Sequence, residues 1–231
     1  MAKVKIRGVI VSNDDKWIYD WFGVESTSPG EIDDAIEKAG GDLLEVEINS
    51  GGGDVYVGSE IYTALKSYPG NVTTKIVGVA ASAASIIAMA GDKTLIAPTA
   101  EIMIHNVASA AQGDYRTFAH ESKVLKDYNS TIANAYILKS GMGRDKLLDM
   151  MNKETWLTPQ QALEYKLVDE IMFDKGMRLS ASISTSYLLP IEVLNKMRNE
   201  RLKQLNNKTN QPEEVDFLML KNQLEIERNR F

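Results

Sequence analysis

The chain of 231 residues carries 26 Lys and Arg against 32 Asp and Glu, a formal charge of −6, which disfavours a phosphate-neutralising nucleic-acid binder. It has no cysteine, which excludes a disulfide scaffold, a zinc ribbon and a thiol nucleophile. With 44% hydrophobic and 25% charged residues it is ordinary globular material, and its length suits one substantial α/β domain better than two.

No secretory signal is visible. The start alternates charged and apolar residues from Lys3 to Val11 instead of building an unbroken hydrophobic segment. The longest uncharged run lies between Lys75 and Asp92 and falls short of the ~20 apolar residues of a membrane helix. These features predict a cytoplasmic protein with no membrane span.

Lys3 to Val11 reads as a strand by its alternation. After an Asn13-Asp14-Asp15 turn, Trp17 to Phe22 reads as a second, edge-like strand. Ser28-Pro29 opens a helix, with Glu31, Asp33 and Asp34 near the positive end of its dipole, that closes at Gly40-Gly41. Leu43 to Ile48 is a short strand, Gly51-Gly52-Gly53 a turn, and Val55 to Ser67 a helix. Val72 to Val79 is a strand leading into an Ala-rich helix from Ser82 to Ala90. Lys93 to Ala97 and Glu101 to His105 are short strands around Pro98. Tyr115 to Ser140 is a long helix closed by Gly141 and Gly143. Arg144 to Met151 and Pro159 to Lys166 are short helices, and Leu167 to Met172 is a closing strand. This alternation predicts an α/β fold with a mostly parallel sheet. Composition shifts near Lys175, so residues 1–175 are expected to form the main domain. Residues 176–231 form a Ser-rich linker and a tail with two charged helical candidates, Ile191 to Leu205 and Glu213 to Arg230.

Four constellations carry chemistry. In Asn49-Ser50-Gly51-Gly52-Gly53-Asp54 a strand runs into glycines and then a helix, so backbone N–H groups can approach a ligand closely. A phosphate loop would look similar, but Ser59 stands where that motif requires Lys. A tight structural turn fits the same residues. In Gly78-Val79-Ala80-Ala81-Ser82-Ala83-Ala84-Ser85, a buried strand meets a helix and small neighbours leave room for a carbonyl. Ser82 there suits an acyl-transfer nucleophile, with the next N–H aimed at an oxyanion. The same serine also reads as a plain helix N-cap, and Ser85 stands next to it as a substitute nucleophile.

His105 ends the apolar strand Glu101-Ile102-Met103-Ile104. The chain's other histidine, His120, falls among charged residues of the long helix and reads as a surface residue. A serine base must be a neutral imidazole within reach, so His105 is the better candidate. Finally, Glu154 precedes an apolar residue and a short helix, in a loop that could approach His105.

Together these motifs resemble the ClpP family of serine peptidases over about residues 3 to 173. Asn49-Ser50-Gly51-Gly52-Gly53 is similar to the family's Asn-Ser-Pro-Gly-Gly, and Gly78-Val79-Ala80-Ala81-Ser82 to its Gly-Gln-Ala-Ala-Ser. Ile102-Met103-Ile104-His105 matches its Ile-Met-Ile-His. Ala162 to Asp169 resembles its Ala-Val-Glu-Tyr-Gly-Leu-Val-Asp. More narrowly, the chain looks like the ClpP-related head maturation (prohead) proteases of tailed phages.

The resemblance implies a ClpP/crotonase-like spiral of βα units with a protruding handle helix at about 113–141. It implies nucleophile Ser82, base His105, acid Glu154 and an oxyanion hole of the Gly53 and Ala83 N–H groups, with no cofactor and no metal. It further implies a homo-oligomeric ring, commonly heptameric and sometimes stacked in pairs. Gly51 replaces the family Pro, Ala83 its Met and Glu154 its Asp. A short N-terminal segment disfavours an unfoldase ATPase partner, so the expected activity is ATP-independent serine endopeptidase cleavage of capsid, scaffold or portal proteins in the bacterial cytoplasm or prohead. The competing readings are a catalytically idle ring that assists assembly and a crotonase-type acyl-CoA enzyme.

Overall fold

A computed structural model describes residues 2–174 of the chain. The two tail helix candidates lie outside the described residues. Eight strands form one sheet in which β1 (Ala2–Ile10), β3 (Leu44–Gly53), β4 (Val72–Ala81) and β5 (Lys93–Ile96) run parallel side by side. Short β2 (Ser26–Thr27) edges β1, and β8 (Glu170–Ile171) edges β5. The mixed α/β class expected from strand–helix alternation is present.

One row of side chains shows why the sheet holds. Ile6, Ile48, Ile76, Ile96 and Ile171 stand opposite one another on five adjacent strands, all of them buried. Each contributes roughly 1.5–3 kcal/mol by leaving water, and β-branched neighbours pack well on a pleated face. Two residues earlier on the same strands, Thr74 and Thr94 are fully buried and turn their hydroxyls on the Ala88 carbonyl at 3.0 and 3.2 Å. They pin the end of α4 (Ala83–Ala88) to the sheet.

Strand β4 decides where the site forms. Its first half pairs with β5, but its second half pairs with β6 (Glu101–Ile104), Val79 to Ala81 lying opposite Glu101 to Met103. The Ser82 N–H extends this ladder to the Met103 carbonyl at 3.0 Å. The end of β4 is therefore wedged between the ends of β3 and β6. Strand β7 (Thr155–Leu157) pairs antiparallel with β6, which brings the 152–154 segment beside the end of that strand.

Three sequence expectations are corrected. Asn13 to Trp21 is a helix, α1, instead of a turn and an edge strand. The Ser12 hydroxyl caps it by accepting the Asp15 N–H at 3.1 Å, and Asp14 and Asp15 sit in its first turn, where the dipole favours them. The helix buries no residue, so there was no apolar stripe to read. Second, β3 does not stop at Ile48 but continues through the three glycines, Gly52 and Gly53 lying opposite Val9 and Ile10. Third, β7 falls in a stretch read only as a loop.

Other elements fall close to their expected bounds: α2 (Pro29–Ala39), α3 (Val55–Ser67), α5 (Tyr115–Ser140), α6 (Arg144–Asn152) and α7 (Pro159–Glu164). The first half of α5 carries no fully buried residue, whereas Ile132, Ala133, Ala135 and Tyr136 of its second half join the core. Among the described residues, no helix is long and apolar enough to cross a membrane.

Candidate active site

Ser82 sits between β4 and α4 with φ 54° and ψ −127°. A non-glycine residue in that region costs of order 1–3 kcal/mol and persists only where its surroundings over-determine it. Here they do. Its N–H is held by Met103, and its carbonyl accepts the Ser85 N–H at 2.9 Å and the Ser85 hydroxyl at 2.6 Å. A sharp, strained strand-to-helix turn that lifts a serine Oγ clear of the backbone is the nucleophile-elbow geometry.

The imidazole of His105, just past β6, meets this hydroxyl. His105 Nε2 lies 2.7 Å from Ser82 Oγ. Two residues separated by 23 positions in sequence are joined because β6 pairs with the last residues of β4. His120 is exposed on α5, as its charged neighbours suggested.

The glycine segment closes on the same point. Asp54 caps α3, accepting the N–H groups of Tyr56 and Val57 at 2.7 and 3.1 Å, and its own N–H binds the Ile10 carbonyl at 2.9 Å. Gly53 is thereby pressed on β1, where a Cβ would lie 2.2 Å from the Ile10 oxygen. Ser50 donates to the Gly8 carbonyl at 2.6 Å and accepts the Gly52 N–H at 3.1 Å. That bond uses the Gly52 amide. The Ala83 N–H opens the first turn of α4, where no intrahelical acceptor exists.

Gly53, Ser82, Ala83 and His105 line one cleft of about 400 Å³. Ile86 of α4 and Leu125, Tyr128 and Ile132 of α5 give it an apolar wall. The wall suits an apolar side chain, and the polar end suits a carbonyl.

Glu154 is placed differently from the other expected site residues. It follows α6 with φ 48°, and its carboxylate accepts the Trp156 indole N–H at 3.4 Å. Among the described residues, no hydrogen bond or ion pair joins it to His105. Ser85 is fully buried with its hydroxyl engaged, which removes it as a substitute nucleophile. Sequence reasoning did not single out Ser50, Gly52 or Tyr136 for its part around the elbow, and it offered Ser85 only as a substitute nucleophile. The glycine triplet carried a signal, but a triplet does not say which member is indispensable.

The Clp protease family matches residues 37–175, more than half of the chain. The chain belongs to the Clp protease family. Among similar proteins, the ATP-dependent Clp protease proteolytic subunit of Deinococcus radiodurans is 30% identical over 131 residues, covering 56% of this chain and 64% of that protein. The subunit of the same name from Bacteroides fragilis is 35% identical over 137 residues, covering 57% and 65%. That of Ligilactobacillus salivarius is 37% identical over 134 residues, covering 55% and 66%. The chain spans just under two thirds of the length of these relatives. The family match over residues 37–175 establishes the family and leaves the head-maturation subtype a proposal.

Proposed function

We propose that the chain is a serine endopeptidase with Ser82 as nucleophile and His105 as general base. The observation that carries this reading is the 2.7 Å contact between His105 Nε2 and Ser82 Oγ at a strained elbow. His105 takes the hydroxyl proton as Oγ attacks the scissile carbonyl. The oxyanion accepts from the N–H groups of Gly53 and Ala83. Collapse expels the amine, which takes the proton from His105 and leaves an ester on Ser82. Water, deprotonated by the same imidazole, then attacks the ester; the acyl–Oγ bond breaks, Ser82 Oγ takes the proton back from His105, and the acid product leaves.

For Nε2 to accept a proton, Nδ1 must carry one, and a carboxylate on Nδ1 holds that tautomer. We assign this role to Glu154, whose carboxylate must leave Trp156 to fulfil it. The members of the family that this chain resembles act as rings, and the same homo-oligomeric assembly is proposed here.

The finer reading is ATP-independent processing of capsid or scaffold protein during phage head maturation. It rests on the motif resemblance alone. A fluorophosphonate probe tests the chemistry: wild type labels on Ser82 and Ser82→Ala does not. Labelling of Ser82→Ala would remove Ser82 from the mechanism. Co-expression with a capsid precursor tests the substrate, cleavage by wild type and not by Ser82→Ala being the expected result.

One observation favours a second reading, an idle ring that binds head proteins: Glu154 is bonded to Trp156 and not to His105. A wild-type chain that co-purifies with capsid protein but neither labels nor cleaves would establish it. The Ser82–His105 contact counts against the crotonase-type reading, which needs no such pair.

A further inference from the structure

Behind the elbow runs a second line of hydroxyls. Tyr136 of α5 is buried, and its phenol oxygen lies 2.8 Å from Ser85 Oγ. Ser85, also fully buried, reaches the Ser82 carbonyl at 2.6 Å. The proton direction follows from inventory. A carbonyl only accepts, so Ser85 donates to Ser82, and each hydroxyl has one proton. Tyr136 must then donate to Ser85. Burial pushes the Tyr136 phenol far above the usual tyrosine range, so the donor keeps its proton at any working pH.

The Ser82 carbonyl belongs to the same planar trans peptide unit as the Ala83 N–H, and the two point in opposite directions. Holding the carbonyl inward therefore aims the Ala83 N–H outward, into the cleft that Ser82 and His105 line. We infer that Tyr136 and Ser85 are positioning residues that orient the Ala83 N–H toward the oxyanion through the shared Ser82–Ala83 peptide plane. The relay rests on the peptidase reading above and adds two residues to it, Ser85 outside the cleft lining and Tyr136, which also lines the cleft.

The device couples α5 to the chemistry. Tyr136 lies on the same helix as Leu125, Tyr128 and Ile132, which line the cleft. A change in the seating of α5 thus reaches the oxyanion donor without moving the nucleophile's hydroxyl partner.

The test is a double-mutant cycle with Tyr136→Phe and Ser85→Ala, read on a chromogenic peptide and on a peptide boronic acid whose tetrahedral adduct mimics the oxyanion. Each single variant is expected to lower kcat by about 10-fold, part of the loss that follows removal of a whole oxyanion donor, with KM within about 2-fold. Boronate affinity should fall in parallel, while a non-cleaved peptide amide binds as before. The double variant should be no worse than either single one, because the hydroxyls act as a unit.

Unchanged kcat in Tyr136→Phe, or losses that track only the folded fraction in urea, would overturn the relay. If Tyr136→Phe does not fold, Ser85→Ala, which removes one oxygen, carries the same comparison. A wild-type chain that neither labels at Ser82 nor cleaves would instead overturn the peptidase reading and this inference with it. The two failures are distinguished by the wild-type measurement.

Discussion

Gly52 and Ser82 touch backbone to side chain: a Cβ built on Gly52 would lie 2.7 Å from the Cβ of Ser82 and 2.8 Å from the Ala81 oxygen. Real side chains do not approach so closely. Gly52 also has φ +100°, which L residues rarely adopt. Gly51 beside it has open space around its Cβ position and no such φ. Gly52→Ala should therefore displace the elbow and cut fluorophosphonate labelling by at least about 100-fold, the scale of a ~1 Å misplacement. Gly51→Ala should label like wild type. Equal labelling of both variants would show that the elbow tolerates the shift.

Glu154 supplies a second prediction. If its carboxylate serves His105, Glu154→Gln should lower kcat by about 100-fold or more, short of the ~10⁴ seen for loss of a triad acid elsewhere. Trp156→Phe removes the indole N–H that now holds the carboxylate and should leave kcat unchanged or raise it. Steady-state kinetics on a peptide substrate check both. Glu154→Gln at wild-type kcat would strip Glu154 of the role.

The Lys139–Asp169 pair joins the end of α5 to the sheet. The lysine side chain is 9% exposed, its Nζ lies 2.7 Å from Asp169 Oδ2, and it also donates to the Gly91 carbonyl at 3.3 Å. Asp169 in turn accepts the Thr94 N–H at 2.6 Å. Lys139→Met should cost about 1.5–3 kcal/mol of stability, the range for hydrogen bonds to charged groups. Urea unfolding measures it, and a loss below ~0.5 kcal/mol would show the pair to be an ordinary surface contact.

On the sheet face, the Lys75 ammonium bonded to Glu45 holds that carboxyl below the usual glutamate value, with Lys3 adding to the effect. A lowered folded-state value means the stabilisation is present above the unfolded pKa and fades as pH falls through the folded one. Glu45→Gln should thus lose up to ~1 kcal/mol near neutral pH. The difference from wild type should shrink below about pH 4. A constant difference down to pH 2 would assign the effect to packing instead of charge.

Much of this architecture is written locally. The helix from Val55 to Ser67 follows from its Asp54 cap and apolar spacing, and α2 from Ser28, Pro29 and Glu31, whose carboxylate takes the Ser28 N–H at 2.9 Å. Buried strands such as Leu44-Glu45-Val46-Glu47-Ile48 alternate as a half-buried sheet requires. Helix α1 leaves no apolar stripe in the sequence because it buries nothing, and its Ser12 cap is a local signal. Neither the Ser82 nor the His105 motif decides alone, since the one also reads as a helix cap and the other as an ordinary strand end; several motifs in order, through the family resemblance, single the two residues out.

What the chain order could not convey is adjacency. The split pairing of β4 with β5 and then β6 brings His105 to Ser82, and only the crossing of α5 over α4 sets Tyr136 against Ser85. The direction of Glu154 toward Trp156 is likewise a matter of φ 48° at one residue. Local propensity is a sum over neighbours in sequence. A catalytic contact instead depends on loop closure and sheet register, which are set by the burial of residues far apart in the chain.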